Sequence, residues 1–551
     1  MKRVALLIAA LSLTLGAQQA AYGWPTYHGD NSGRHYSADT QISTANVHNL
    51  SLAWVAHANA SARGAIIGGV SEGPARAASP IQIGPGRGGR GGGAAPVTIK
   101  SAVLLDDGVL YFTSPNNAFA VDARTGKSVW HYLWQGRSAI GNRGVGLYKD
   151  WLYLETPDNH IVSLDRLTGK QRWSQPIAPD GAANFSTSAP VAIGNHIIVG
   201  VGGDAGTNAG WVEAIDPATG ALQWKWNVEP GPGEPGFDTW PNARAAANGA
   251  GGPWQPVTYD PALNLIYVTT GNPTPTYNGL GRKGANLYTC SVVALNPDTG
   301  KMAWYYQVSP HDTHDWDATE TPVLIDANYP SYQGQPRKLL ALAERNGYYF
   351  LLDRTNGHPL TVTKLVPTAD GYAGLDAHQV LIPDPKHEGS VGGTIASPDS
   401  DGVTNYPAPS YDPQTGLFYV NVTSSYSLYY LSPDPADATG YRGSEYHLGL
   451  FDSALLALHL DTGTVAWRHD YPQEAGFASS THPGILATAG GVLFTGDPAG
   501  NFVARDARTG RDLWHANLGS GITNNPETYR LDGHQYLLVA AGDSLYTFWL
   551  Q

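Results

Sequence analysis

Cysteine is almost absent from this chain of 551 residues: Cys290 is the only one, and methionine occurs twice. One cysteine cannot form an intrachain disulfide, and it excludes the CxxCH motif through which c-type haem is attached. A chain of this length can instead be stabilised by a large buried core. The scarcity of cysteine therefore excludes a disulfide scaffold and a haem site within this sequence.

Charged residues and long apolar segments are also scarce. Only 14% of the residues are charged, and the formal net charge is −13. A negative balance of this size argues against nucleic acid as a partner. Beyond the N-terminus no segment is apolar enough to cross a membrane.

The N-terminus reads MKRVALLIAALSLTLGAQQAAYG. Lys2 and Arg3 precede an apolar stretch, and small residues before Trp24 form a plausible cleavage site, which together are typical of a secretory signal peptide. An uncleaved membrane anchor is the alternative, but the apolar stretch is short for spanning. We expect residues 1–23 to be removed and residues 24–551 to be exported to the periplasm or secreted, without a transmembrane anchor.

Glycine (66 residues), tyrosine (30) and tryptophan (16) are abundant, which favours strands and turns. One motif recurs, with an apolar strand, Asp or Asn, two residues, Thr-Gly, and a strand containing Trp. In such a turn the Asp or Asn side chain accepts backbone hydrogen bonds and glycine takes the positive φ. The copies are VDARTGKSVW (121–130), LDRLTGKQRW (164–173), IDPATGALQW (215–224), LNPDTGKMAW (295–304), LHLDTGTVAW (458–467) and RDARTGRDLW (505–514), with a weaker LLDRTNG ending at Gly357.

Further strands precede several copies, so one unit contains about four strands over roughly 40–50 residues. Repeats of this kind predict an all-β protein with a single β-propeller domain over residues 24–551; a β-sandwich is the alternative. The Gly/Arg-rich segment 62–96 is predicted to be a mobile loop within it. An RGG-type RNA contact is the alternative for that loop, which the acidic composition disfavours.

Residues 311–322, HDTHDWDATETP, concentrate polar chemistry in a chain with few charges. His311 and His314 are three residues apart, so a zinc site is one interpretation. No matching ligand motif occurs elsewhere in the sequence, which disfavours zinc. A solvated loop and a catalytic loop remain as alternatives.

The repeats and loops resemble those of the pyrroloquinoline quinone (PQQ) alcohol dehydrogenases, the methanol and ethanol dehydrogenase type. The resemblance runs from WPTYHGDNSGRHYS (24–37) to GSGITNNPETYRLDGHQYLLVAAG (519–542). It implies an eight-bladed propeller that holds PQQ and Ca²⁺ or a lanthanide in a central funnel. An Asp base would deprotonate an alcohol while hydride passes to PQQ, with the ion as Lewis acid. With no haem motif present, the electron acceptor would be a separate protein such as a cytochrome c.

The resemblance also implies roles for individual residues. Asp317, after Trp316, matches the catalytic base, which in many members also binds the metal, and Asn272 in TGNPTP matches a metal ligand. The cofactor-binding positions match Arg143, Thr156, Arg345 and Asn405. Each arginine could instead form an ordinary salt bridge. Thr319 stands where lanthanide-type members carry a second Asp, which favours Ca²⁺.

Several positions depart from the family pattern. Arg137 and Ser138 stand where adjacent cysteines often form a disulfide lid, and Lys100 stands where a Glu meets the cofactor. The aromatic floor of the funnel falls on Ala246 in this register, and losing a stacking ring would weaken cofactor binding. The metal-binding Glu falls on Ala205, with Asp204 one residue away as a possible substitute.

The sequence therefore predicts an exported PQQ-dependent alcohol dehydrogenase-like oxidoreductase that acts on a small alcohol. The alternative is a cofactor-free propeller that binds a ligand or protein in its funnel. A third possibility is a blade-assembly scaffold of the outer-membrane type. Those proteins share the turn motif but lack the TGNP and Trp-Asp loops.

Overall fold

The structure is a computed structural model that describes residues 23–58, 64–69, 98–136, 141–179, 182–202, 208–318, 320–328, 335–472 and 483–551. Its regular structure is almost entirely β. Within the described ranges, the helical segments are α1, Ala243–Ala247, and two 3₁₀ turns, Val47–Asn49 and Phe237–Thr239. The predicted all-β class is confirmed.

Eight sheets, which we number in chain order, each contain four antiparallel strands in succession. Sheet 1 comprises Leu104–Asp106, Val109–Ser114, Asn117–Asp122 and Ser128–Gln135, and sheet 2 comprises Gly146–Tyr148, Trp151–Thr156, His160–Asp165 and Gln171–Pro176. Sheet 3 comprises Val191–Ile193, His196–Val201, Trp211–Ile215 and Leu222–Asn227, and sheet 4 comprises Thr258–Asp260, Leu265–Thr269, Ser291–Leu295 and Met302–Gln307.

Sheets 5 to 8 repeat this arrangement in the second half of the chain. Sheet 5 comprises Val323–Ala327, Arg337–Ala343, Tyr348–Asp353 and His358–Lys364, and sheet 6 comprises Ser410–Asp412, Leu417–Pro433, Tyr441–His459 and Val465–Asp470. Sheet 7 comprises Leu486–Thr488, Val492–Gly496, Asn501–Asp506 and Asp512–Asn517, and sheet 8 comprises Glu527–Leu531, His534–Ala541, Ser544–Leu550 and Leu50–His57. This succession of sheets is a β-propeller, as the repeats predict.

The two ends of the chain share a sheet. Leu50–His57 pairs antiparallel with Ser544–Leu550 in sheet 8, and Tyr36–Ser37 pairs parallel with Leu486–Thr488 in sheet 7. Two more strands extend other sheets, Thr394–Ala396 in sheet 6 and Ile66–Gly69 in sheet 1, and Tyr372–Leu375 pairs with Leu381–Pro383. Pairing between the ends closes the structure on itself.

The repeated Trp connects neighbouring sheets. Trp130 of sheet 1 donates its indole N–H to the carbonyl of Arg166 in sheet 2 at 2.9 Å. Its ring lies against Gly169, where a Cβ would come within 2.7 Å of it, so the turn requires glycine at this position. The same ring-to-glycine contact joins Trp224 to Gly300, Trp304 to Gly357 and Trp467 to Gly510.

The core lies between the sheets. One cluster joins Tyr267 and Trp304 of sheet 4 to Leu340 of sheet 5 and Phe418 of sheet 6, all buried. Within the Gly/Arg-rich segment 62–96, Ile66–Gly69 forms the added strand of sheet 1, and residues 70–96 lie outside the described residues, as do residues 1–22. In the described ranges, no helix is both long enough and apolar enough to span a membrane.

Candidate active site

Two loops place Asp317 at the centre of a buried polar cluster. Asp317 lies between sheets 4 and 5, and Asn272 follows the second strand of sheet 4. The backbone N–H of Asn272 donates to Asp317 Oδ1, and the N–H of Ala318 donates to the carbonyl of Thr270 at 3.1 Å. The two loops are therefore tied together, which brings the predicted base beside the predicted metal ligand.

The other oxygen of Asp317 meets an aromatic donor and a cation. Trp254 Nε1 donates to Asp317 Oδ2 at 3.0 Å, and Arg345 Nη2 lies 3.3 Å from the same oxygen. Burial raises the pKa of Asp317, and the positive Arg345 and the donors from Asn272 and Trp254 oppose that rise. A buried carboxylate with a raised pKa is suited to accept a proton.

Arg345 joins the predicted residues into one network. It follows the second strand of sheet 5 and donates through Nη1 to the carbonyls of Asp315 at 2.9 Å and Ser400 at 3.2 Å. Its Nη2 lies 3.5 Å from Asn405 Oδ1. The amide of Asn405 in turn donates to the carbonyl of Asp401 at 2.8 Å. Arg345 and Asn405 are thus neighbours, as their predicted roles require.

Arg143 reaches the same cluster across Trp254. Its guanidinium lies 4.3 Å from the Trp254 ring centroid and 4.8 Å from that of Tyr406, within cation–π range. Nη1 donates to Thr187 Oγ1 at 2.9 Å. Nε is buried and has no hydrogen-bond partner among the described residues, so it remains available to a bound anion.

Thr156 belongs to a different network. Its hydroxyl donates to Asp158 Oδ1 at 2.6 Å and accepts the backbone N–H of His160 at 3.0 Å. These bonds close the hairpin turn between two strands of sheet 2. Among the described contacts, the structure does not join Thr156 to Arg143 or Arg345, and its role toward a cofactor stays a prediction.

Other predicted positions lie outside the described residues. These are the possible metal ligand Asp204, the neighbouring Ala205, the lid positions Arg137 and Ser138, and Thr319. Lys100 is exposed, with its ammonium 6.0 Å from the centroid of the Tyr406 ring. A lysine therefore borders the cluster where the resemblance led us to expect an acidic residue.

Sequence reasoning missed two members of the site, Trp254 and Thr187. The position of the aromatic floor was expected to fall on Ala246, and for the cluster around Asp317 this is wrong. Ala246 lies in α1, whereas the ring of Trp254 contacts both Arg143 and Arg345. The Gly-rich stretch before Trp254 has no periodicity that fixes a register. Counting back from Asn272 along the two intervening strands would have fixed the register of this stretch more firmly.

The histidines of the acidic stretch do not converge on a metal. His311 Nδ1 pairs with the carbonyl of Gly284 at 2.8 Å, and His314 Nε2 with that of His387 at 2.8 Å. The His314 ring also stacks on Trp316 at 4.1 Å. Neither histidine belongs to a group of three possible ligands among the described residues. The stretch serves instead to place Asp317.

Comparison with known proteins gives a consistent result. A PQQ family model described as "Glucose/ethanol/alcohol dehydrogenase, beta-propeller domain" matches residues 24–151, 175–379 and 455–537. A quinohemoprotein alcohol dehydrogenase of Comamonas testosteroni is 31% identical over 94% of this chain and 72% of its own length. A "1-butanol dehydrogenase (cytochrome c)" of Thauera butanivorans is 29% identical over 98% of this chain and 77% of its own length.

Similarity extends to three dimensions. The crystal structure of the Comamonas testosteroni quinohemoprotein alcohol dehydrogenase superimposes with a TM-score of 0.81 at 30% identity. That match covers 96% of this chain and 80% of the other. The whole described fold, not one region of it, is therefore similar to an alcohol dehydrogenase.

Proposed function

The chain belongs to the family of PQQ-linked glucose, ethanol and alcohol dehydrogenases, and on that premise we propose that it oxidises a small alcohol with Asp317 as the base. The observation that carries the proposal is the position of Asp317. Its buried carboxylate lies between the Arg345 guanidinium, the Trp254 indole N–H and the Asn272 backbone N–H.

The residues of the cluster fit an anionic, planar cofactor. PQQ carries carboxylates and a flat ring system, and Arg143, Arg345 and Asn405 offer two guanidinium groups and an amide. Trp254 offers an aromatic face. Its ring is already approached by Arg143 at 4.3 Å and by Arg345 at 5.5 Å. A ring that stacked on Trp254 would therefore lie near two guanidinium groups that could bind its carboxylates.

Oxygen donors for Ca²⁺ are also present. Asn272 and Asp317 supply amide and carboxylate oxygens from the two joined loops, and Asp204 is the proposed third ligand. Ca²⁺ takes about 6–8 oxygen ligands, so cofactor and water oxygens would complete the set. When bound, PQQ with its ion supplies a polarised hydride acceptor.

The chain's own residues handle the proton. An alcohol hydroxyl beside Asp317 would donate its proton to a carboxylate oxygen, and Arg345 favours the ionised form of that carboxylate. The N–H groups of Asn272 and Trp254 hold the carboxylate in one orientation, which reduces the cost of aligning it. A positioned base of this kind contributes about 10²–10⁴-fold to the rate.

The remaining features of the proposal concern the whole protein. The eight sheets are proposed to be eight blades around one funnel, with the repeated Trp fastening each blade to the next. Residues 1–23 are proposed to direct export to the periplasm or outside the cell. The reduced enzyme would pass its electrons to a separate acceptor such as a cytochrome c, which the printed name of the Thauera butanivorans relative supports.

A second candidate function is a cofactor-free propeller that binds another ligand or a protein. It is favoured by one contact within the cluster, because Arg345 already pairs with Asp317. A guanidinium with an internal counter-ion needs no bound anion.

Titration of the purified protein with PQQ and Ca²⁺ separates the two candidates. We expect tryptophan quenching and heat of binding, followed by alcohol-dependent reduction of an artificial electron acceptor. Asp317→Asn should retain PQQ binding and lose turnover by roughly 10²–10⁴-fold. The control Asp376→Asn changes an exposed aspartate in the turn after Tyr372–Leu375 and should retain both. Absence of PQQ binding to a folded protein would overturn the dehydrogenase proposal and favour the second candidate.

A further inference from the structure

A second group of metal-ligand side chains lies beside the candidate active site. Asp399 and Asp401 are in the loop after Thr394–Ala396, and His447 is on the long strand Tyr441–His459 of sheet 6. One possible ligand atom from each of the three lies within 4.8 Å of the others. This spacing fits three groups around one ion.

The Asp399 carboxylate is incompletely satisfied. Asp399 is only 4% exposed, and its Oδ2 lies 3.1 Å from His447 Nδ1. Its Oδ1 is buried and has no hydrogen-bond partner among the described residues. A buried carboxylate oxygen without a donor is costly, and a cation in contact with it removes that cost.

Glu445 completes an arrangement typical of metal-binding histidines. His447 Nε2 lies 3.4 Å from Glu445 Oε2, while Glu445 Oε1 accepts the N–H of Ser400 at 2.9 Å. A histidine that binds a metal through one ring nitrogen usually donates its other N–H to a carboxylate. His447 therefore has Asp399 on its Nδ1 side and an orienting carboxylate on its Nε2 side.

The local charge also favours a divalent ion. Asp399, Asp401 and Glu445 place three carboxylates around the one imidazole of His447. A divalent ion would offset the negative charge of these carboxylates.

We propose that Asp399, Asp401 and His447 bind one divalent transition-metal ion of the zinc type. An imidazole nitrogen together with carboxylates suits Zn²⁺ or Co²⁺, whereas Ca²⁺ and Mg²⁺ favour all-oxygen sets. His447 is exposed at the surface, which gives the ion a route of entry. Water would complete the coordination.

The ion would stabilise the loop that supports Arg345. Arg345 Nη1 donates to the carbonyl of Ser400, between the two aspartates, at 3.2 Å. Asn405, which contacts Arg345, donates to the carbonyl of Asp401 at 2.8 Å. The proposed metal site would therefore act on the cluster around Asp317 only by holding this loop in place. Its existence does not depend on the function proposed above.

Cobalt binding tests this inference without any activity assay. Tag-free protein is stripped with a chelator, dialysed against Co²⁺, and examined by elemental analysis and visible absorption. We expect the wild-type protein to bind one Co²⁺ per chain beyond any ion bound near Asp317. The ligand-field bands of this Co²⁺ should be abolished by His447→Ala and by Asp401→Asn. Glu445→Gln should weaken binding by roughly 10–100-fold.

Two control variants define the outcome. His378→Ala removes an exposed histidine from the turn after Tyr372–Leu375 and should leave Co²⁺ binding unchanged. Asn272→Ala alters the funnel and should also leave it unchanged, which separates this ion from one bound near Asp317. The inference is overturned if folded wild-type protein binds no stoichiometric Co²⁺, or if binding persists in both His447→Ala and Asp401→Asn.

Discussion

Replacing Arg345 by methionine perturbs the centre of the candidate active site most directly. Arg345 Nη2 lies 3.3 Å from Asp317 Oδ2, and both side chains are buried. At that separation, with an effective dielectric constant of about 20, their attraction is about 5 kcal/mol. Methionine keeps much of the length but none of the charge, so Asp317 becomes a buried carboxylate that has lost its nearest counter-ion and keeps only the weaker influence of Arg143. We expect Arg345→Met to lower the free energy of unfolding by roughly 3–5 kcal/mol at about pH 8.

The cost should depend on pH, because protonation of Asp317 removes the uncompensated charge. Burial already raises the pKa of Asp317, and Arg345 is the strongest influence opposing that rise. Loss of the cation should raise this folded-state pKa further above the unfolded value, which stays at about 3.9. Between the two values the folded state binds more protons, so stability falls as the pH rises. The destabilisation should therefore be small near pH 4 and complete above the folded-state pKa.

A double-mutant cycle measures the effect. Chemical denaturation, followed by tryptophan fluorescence, is compared for wild type, Arg345→Met, Asp317→Asn and the double variant. In the Asp317→Asn background the cost of Arg345→Met should fall by about 2 kcal/mol or more, because a neutral amide needs no counter-ion. A residual cost is expected from Asp315, 3.9 Å from Arg345. An equal cost in both backgrounds, or at both pH values, would refute the reasoning.

Three further predictions concern single side chains. Trp254→Ala should weaken PQQ binding about tenfold or more, measured by calorimetry, because an aromatic face is lost. Trp226→Ala, which changes a tryptophan of sheet 3, is the control. Equal weakening by the two substitutions would contradict the assignment of Trp254 to the site. Burial raises the pKa of Glu155 to about 8, so its carboxyl should cost wild type stability between about pH 5 and pH 8. Glu155→Gln should reduce that loss in urea denaturation, because Glu155 no longer contributes to it. Trp304→Phe should cost about 1 kcal/mol for its hydrogen bond to Arg354, and an unchanged urea midpoint would contradict that bond.

The fold was predictable from the sequence because each repeat carries its own local instructions. In LDRLTGKQRW, Asp165 accepts hydrogen bonds from Thr168 and Gly169 takes a φ of +68°, all within one turn. These interactions need no distant partner. The Trp of most of these motifs then repeats the same contact with a glycine of the next sheet, so a linear pattern indicates a three-dimensional one.

The site was only partly predictable, because its members come from several sheets. Asp317 and Asn272 were recognisable since each has a distinctive neighbour, Trp316 or the Gly-Asn-Pro turn. Thr187 lies in a stretch of common residues, and only its contact with Arg143 identifies it. The pairing of Asp399 with His447 was equally hidden, because 48 residues and a long hairpin separate the two.

Arg345 connects the two sites and explains why the loop around Ser400 matters. Its guanidinium neutralises Asp317 through Nη2 and is held through Nη1 by the Ser400 carbonyl. Ser400 lies between Asp399 and Asp401, and its N–H donates to Glu445, the partner of His447. Any shift of that loop therefore moves the cation that opposes the effect of burial on the pKa of Asp317. Since the attraction between two buried charges weakens as their separation grows, a metal ion that holds this loop would stabilise the charged form of the proposed base.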